Sequence, residues 1–150
     1  MEFKNGQLDF RQDIETGEQG EAYIRAFLER LEYTFVNECK NNAYDLKMSY
    51  KGKEYTYEIK TDTYARDTGN MAIEFESRGK ASGISVTQAD YFTYFFPKLG
   101  EIWNIKVSDL RQLILDTKPY ETIGGDKGSN TKMYLIRKRE VKEHFRLHRV

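Results

Sequence analysis

The stretch Ala43–Lys60, AYDLKMSYKGKEYTYEIK, decides how the chain is read. Lys51-Gly52-Lys53 is a turn signal between two arms. On the second arm Tyr55, Tyr57 and Ile59 alternate with Thr56, Glu58 and Lys60, the period-two pattern of a half-buried strand. A hairpin otherwise built of Tyr, Leu, Met and Ile thus carries Asp45 on one arm and the pair Glu58, Lys60 on the other, directed toward one end. The spacing acid–x–Lys carries nothing by itself, since it recurs at Glu2/Lys4, Glu38/Lys40, Asp45/Lys47, Asp116/Lys118 and Glu140/Lys142. Only at Glu58/Lys60 does it close a well-patterned strand with an Asp on the hairpin partner before it.

Upstream, Thr16-Gly-Glu-Gln19 has capping-box spacing, and Ile24, Phe27, Leu28 and Leu31 fall on one face at helical spacing. The pattern predicts a helix over about 16–32. On a helical wheel Glu21 lies roughly 70° from the centre of that apolar stripe and Glu18 roughly 130° away. Glu21 is therefore the carboxylate at the edge of the buried face, with Glu18 its competitor. If the stripe packs on the hairpin, Glu21 approaches Asp45 and Glu58. Buried carboxylates without partners are costly, so three of them need counter-charge. Lys60 supplies one charge. A divalent cation would supply more, and an all-oxygen donor set suits Mg²⁺ or Mn²⁺ rather than Zn²⁺. An ordinary salt bridge from Lys60 to Asp45 or Glu58 is the competing explanation.

Downstream, NMAIEFES (70–77) reads as a third long strand and SRGKASG (77–83) as a loop, with a short helix opening at Thr87 in VTQAD. DYFTYFF (90–96) and EIWNIKV (101–107) read as strands split by Pro97 and Gly100. A helix over 108–117 capped by Ser108, a loop over 124–130, a final strand over 132–138 and a basic helical tail complete the chain. This order predicts one domain, an α/β (α+β) sandwich of helices around a single mixed central sheet.

Composition sets the outer bounds. The chain has 150 residues, enough to bury a core, with 39% hydrophobic residues, 11 Tyr and 9 Phe. No apolar run reaches membrane-spanning length. MEFKNGQLDFRQD lacks the basic-then-apolar pattern of a secretion signal, and the single Cys39 makes no internal disulfide. The expectation is a soluble, cytoplasmic protein of a reducing compartment. Net charge is zero, but 127–150 holds 8 Lys/Arg against 2 Asp/Glu while the remainder holds 16 against 22. That is a basic C-terminal extension beside an acidic body.

Gly124-Gly-Asp-Lys-Gly128 lacks the spacing of a triphosphate-binding loop. His144 and His148, four apart on the expected helix, have no third ligand and read as a solvated pair. The tyrosines near 50–57 and 91–94 can stack on bases, with core packing the better explanation. Arg78 and Lys80 flank Gly79 in a loop that can hold a phosphate, with a plain turn the equal alternative.

TGEQGEAYIRAFLERLEYTFV, Tyr44-Asp45-Leu46 and Tyr57-Glu58-Ile59-Lys60, in that order, resemble the PD-(D/E)XK nuclease superfamily, in particular its small Holliday-junction-resolvase-like members. The resemblance spans roughly residues 16–96. It departs at Tyr44, where the family name has Pro. It implies a restriction-endonuclease-like core and Mg²⁺- or Mn²⁺-dependent hydrolysis of DNA that leaves a 5′-phosphate and a 3′-hydroxyl. Asp45, Glu58 and the Ile59 carbonyl would then hold the metal, Glu21 would contact it directly or through water, and Lys60 would orient and help deprotonate a water. Some members place a functional Gln where Gln88 stands. Arg78, Lys80, Arg137, Lys138 and Arg139 would contact phosphates, Arg137 and Arg139 sharing a strand face. A homodimer would suit paired cuts. The alternative is a non-catalytic nucleic-acid- or protein-binding module on the same fold.

Overall fold

The computed structural model describes residues 10–39, 43–63, 69–125 and 128–150. Residues 1–9, part of the stretch read for a secretion pattern, and Asp126 and Lys127 of the expected 124–130 loop lie outside the described residues.

Helix α1 (Phe10–Arg30) begins before the expected position, so Thr16 lies within it. It ends in a left-handed cap. Glu32 adopts φ 72°, and Tyr33 N–H reaches back to Leu28 C=O at 3.1 Å. Strands β1 (Thr34–Glu38), β2 (Leu46–Tyr50) and β3 (Lys53–Thr61) form an antiparallel meander. Its β2–β3 turn is Lys51-Gly52, with φ 50° and 78°, the positive pair whose twist suits a two-residue hairpin.

Strand β4 (Asn70–Ser77) has the expected bounds but leaves the central sheet. It pairs with β5 (Lys80–Ala81) and with β9 (Thr131–Arg137), whose other neighbour is β8 (Tyr120–Gly124). The chain returns through a 3-10 turn at Gly83–Ser85 to β6 (Tyr91–Phe96), which lies parallel to β3, then β7 (Glu101–Lys106) and helix α2 (Val107–Thr117). After β9 come a short helix α3 (Lys138–Val141), a 3-10 turn at Lys142–His144 and β10 (Arg146–Arg149) on β7.

Among the described residues the expected single sheet is therefore two: a mixed six-stranded sheet ordered β1-β2-β3-β6-β7-β10 and an antiparallel four-stranded sheet ordered β5-β4-β9-β8. Alternation gives a strand two faces but does not name its neighbours. Met71 and Ile73 of β4, both fully buried, pack with Phe92, Tyr94 and Phe96 of β6 in one core. A second core on the other face of the central sheet joins Ile24 and Leu28 of α1 to Leu46, Met48, Tyr57 and Phe95.

Other expectations are corrected. The helix at Thr87 does not form: Gln88 N–H donates to Ala43 C=O at 2.8 Å and Asp90 N–H to Thr56 Oγ1 at 2.9 Å, contacts to strand neighbours that replace helical ones. The N-cap position of helix α2 is Lys106, which makes no side-chain cap bond, rather than Ser108. The tail ends in a strand, because Arg146 and His148 flank Leu147 at period two. No helix among the described residues is long and apolar enough to cross a membrane.

One cross-layer bond tests the sandwich. The hydroxyl of Tyr94, fully buried in β6, donates to Ala72 C=O in β4. Tyr94→Phe leaves that carbonyl without its donor and is expected to cost about 1–2 kcal/mol in a urea unfolding titration.

Candidate active site

The β2–β3 register builds the site. Leu46 lies opposite Tyr57, and Asp45 N–H donates to Tyr57 C=O at 2.9 Å, so Asp45 meets the Glu58 end of β3. Ile59 N–H donates to Asp45 Oδ2 at 2.8 Å, fixing that carboxylate. Tyr57 is buried toward α1, so strand alternation turns Glu58 and Lys60 to the opposite face. There Glu58, Lys60, Ala72, Glu74, Gly83 and Phe92 are among the residues lining a cavity of about 210 Å³.

Thr87 Oγ1 donates to Glu58 Oε2 at 3.1 Å. Thr87 is held in turn by Arg111 of α2, which donates to Thr87 C=O at 2.8 Å and through Nε and NH2 to Ile84 C=O at 3.1 and 3.0 Å. Gly83 closes the same loop on β4: a Cβ there would stand 2.2 Å from Glu74 C=O. Burial, then the Asp45 charge, push the Glu58 carboxyl from 4.5 up to about 7, with Glu21 and Glu74 adding to the rise and the Thr87 bond opposing it.

Glu21 is half-buried on α1 and acts on Glu58, whereas Glu18 is exposed, which separates the two helix carboxylates. The helix reaches this position because Gly20 lets it lie on Thr61. Lys60 is exposed at the cavity and is not among the leading influences on Glu58. Among the described residues no three Asp, Glu, His or Cys side chains converge tightly enough to cage a metal. Asp45 and Glu58 are the near pair, and the Glu21 and Glu74 charges also act on Glu58. This donor set fits a hard divalent cation: every donor is oxygen, and a carboxylate raised by three like charges is relieved by positive charge.

The expected phosphate contacts scatter. Arg78 and Lys80 are exposed at the β4–β5 turn. Arg137 lies opposite Asn70 at the other end of β4, roughly 20 Å away at strand rise. Arg137 ends β9 and pairs with Glu140 at 3.5 Å, while Arg139 belongs to α3, so they do not share a strand face. Lys138 is buried, 3.7 Å from Glu101 and over the rings of Phe96 and Trp103. Gln88 is exposed and its backbone sits beside Ala43, near Asp45. His144 lies in a 3-10 turn and His148 on β10, not on one helix. Tyr57 and Tyr94 are core residues, as expected.

Sequence reasoning missed Glu74, Arg111 and the role of Thr87. Glu74 had a signal: it stands between Ile73 and Phe75 in a strand whose neighbours are apolar. Arg111 had none, since its partners are carbonyls of a distant loop. A scan against protein-family models found no match, and no curated protein matches the chain.

Proposed function

We propose that this chain is a divalent-metal-dependent nuclease that hydrolyses phosphodiester bonds in DNA, on the PD-(D/E)XK plan. The observation that carries the proposal is Glu58. It is a strand carboxylate raised to about 7 by burial and by Asp45, Glu21 and Glu74, with Lys60 at the same cavity. The order of elements supports it: a helix, a three-strand meander with Asp before β2 and Glu–x–Lys at the end of β3, then a strand parallel to β3.

Asp45, Glu58 and the Ile59 carbonyl would hold Mg²⁺ or Mn²⁺, Glu21 directly or through water, and the ion when bound would acidify a water and polarise the scissile phosphate. The chain's own groups do the rest. Ile59 N–H and Thr87 Oγ1 hold the two carboxylates in place before any ligand arrives. Arg111 keeps Thr87 at that station. Lys60 orients the attacking water and assists removal of its proton.

The test is incubation of supercoiled plasmid and of a four-way junction with the protein in Mg²⁺ and in EDTA. Cleavage in Mg²⁺ alone, with 5′-phosphate ends, is the expected result. DNA binding without cleavage would assign the chain to non-catalytic modules. Lys60→Ala is expected to slow cleavage by about 10²-fold or more while leaving Mn²⁺ affinity equal or higher, because a Lys repels the ion. Lys60→Gln, similar in length but uncharged, should also be slow. Wild-type turnover in Lys60→Ala would reduce the residue to a surface charge.

A further inference from the structure

Helix α1 covers its face of the central sheet mainly over β1, β2 and β3. Toward β6, β7 and β10 it leaves a groove of about 370 Å³, a size that suits a small ligand. The sheet register arranges the groove floor in rows. Tyr57, Tyr91 and Lys106 are neighbours along one row, and Thr93, Asn104 and Arg146 along the next.

The first row is aromatic and ends in a cation. Tyr57 and Tyr91 stack with centroids 5.6 Å apart, and Tyr55 tilts against Tyr91 at 6.1 Å. Tyr55 and Tyr91 are only half-buried, so ring surface remains open to the groove. The second row is polar. Thr93 Oγ1 donates to Asn104 Oδ1 at 2.7 Å, which leaves the Asn104 NH₂ as the donor end of that amide. Lys106 and Arg146 stand exposed at the rim, and Asp109 is the sole carboxylate among the described residues that line it.

We propose that this groove binds one nucleotide unit, its base against the tyrosines and its phosphate against Arg146 and Lys106. A bare phosphate makes no use of the rings, and an alkyl chain makes no use of the Thr93–Asn104 pair or the two cations. A nucleotide uses all three: a flat face to stack, a base edge to accept from Asn104 NH₂, and an anion. The site lies on the opposite face of the sheet from Glu58 and Lys60, so it stands independently of the nuclease proposal. The unit can be a free mononucleotide or the terminal nucleotide of a single strand.

Isothermal titration in EDTA separates these cases, using dTMP, dAMP, thymidine, deoxyribose 5-phosphate and a 5′-phosphorylated thymidine tetranucleotide. The mononucleotides are expected to bind roughly tenfold or more tightly than either fragment, since base and phosphate contribute together. Arg146→Glu, on an exposed side chain, should weaken dTMP roughly tenfold and leave thymidine unchanged. Tyr91→Leu should weaken both, and Glu58→Gln neither. Tighter binding of the tetranucleotide identifies a strand end, and equal binding a free nucleotide. No saturable binding at millimolar concentrations, or an Arg146→Glu isotherm identical to wild type, overturns the proposal. So does a dimer, seen in sedimentation velocity, that Arg146→Glu dissociates and nucleotides leave intact.

Discussion

Glu58→Gln is expected to abolish Mg²⁺-dependent cleavage, a loss of about 10³-fold or more, and at the same time to stabilise the metal-free protein. The two effects share one cause. Burial and the neighbouring carboxylates hold a proton on Glu58 up to about pH 7, whereas the unfolded chain releases it near 4.5. The folded state therefore binds that proton more tightly. The stability this supplies is complete below pH 4.5 and is lost as pH rises to 7, after which folded protein carries the cost of the charge. Gln carries no such cost. Allowing for the partial exposure of Glu58, the variant should gain about 2 kcal/mol at pH 8, or about 5 °C in Tm, and nothing near pH 4.5. Saturating Mg²⁺ should raise the wild-type Tm and leave the variant unmoved. Because ion and proton compete for one carboxylate, apparent metal affinity should climb through pH 7 and level off above it. Melting curves at several pH values, with and without Mg²⁺, check all of this. A Glu58→Gln protein less stable than wild type at pH 8 would mean that the acidic cluster is not under strain.

The second large effect is at Gly20. Glycine within a helix normally costs about 1 kcal/mol against alanine, so Gly20→Ala should stabilise α1 taken alone. In the folded protein a Cβ at that position would fall 1.8 Å from Thr61 Oγ1 and 3.0 Å from Thr61 Cβ. The helix must move off β3, and the net result is expected to be a loss of about 2 kcal/mol or more, roughly 4–8 °C in Tm. Since α1 carries Glu21, cleavage should fall as well. Thr61→Ala in the same protein should recover at least half the loss. Thr61 Oγ1 is buried without a hydrogen-bond partner among the described residues, so its removal costs little. A double-mutant cycle by urea unfolding measures the coupling. Additive effects would show that the Gly20–Thr61 approach does not set the position of α1.

The hairpin, its charged end and the helix before it were legible because each rests on local pattern. The Tyr–x–Tyr–x–Ile alternation in β3, the Lys51-Gly52 turn and the Ile24/Phe27/Leu28 stripe follow from neighbours in the chain. Partner choice was not legible. Met71, Ile73 and Phe75 announce a strand but not that it pairs with β9, whose Ile136 lies opposite Met71 although it stands 65 residues further along the chain. The C-terminal strand hid behind its charges: Arg146, His148 and Arg149 suggest a solvated helix until Leu147 is seen packing against the core. Lys138, expected to contact phosphate from the basic end, is instead buried over two aromatic rings, where its stem and charge both find partners. At the site, Asp45, Glu58 and Lys60 were visible as a pattern of strand ends. Arg111 was not, and Glu74 showed only as a charge between Ile73 and Phe75, because both reach the site, from α2 and from the second sheet, through contacts that no local spacing encodes.

The most direct test is a Mn²⁺ titration followed by electron paramagnetic resonance at pH 8, on wild type and on Asp45→Asn. Asn keeps an oxygen to accept from Ile59 N–H and removes only the charge. One ion bound per chain in wild type, and affinity at least roughly tenfold weaker in Asp45→Asn with the fold intact, is the expected result. Absence of Mn²⁺ binding by folded wild-type protein, or equal affinity in the two, would contradict a cation site at Asp45 and Glu58.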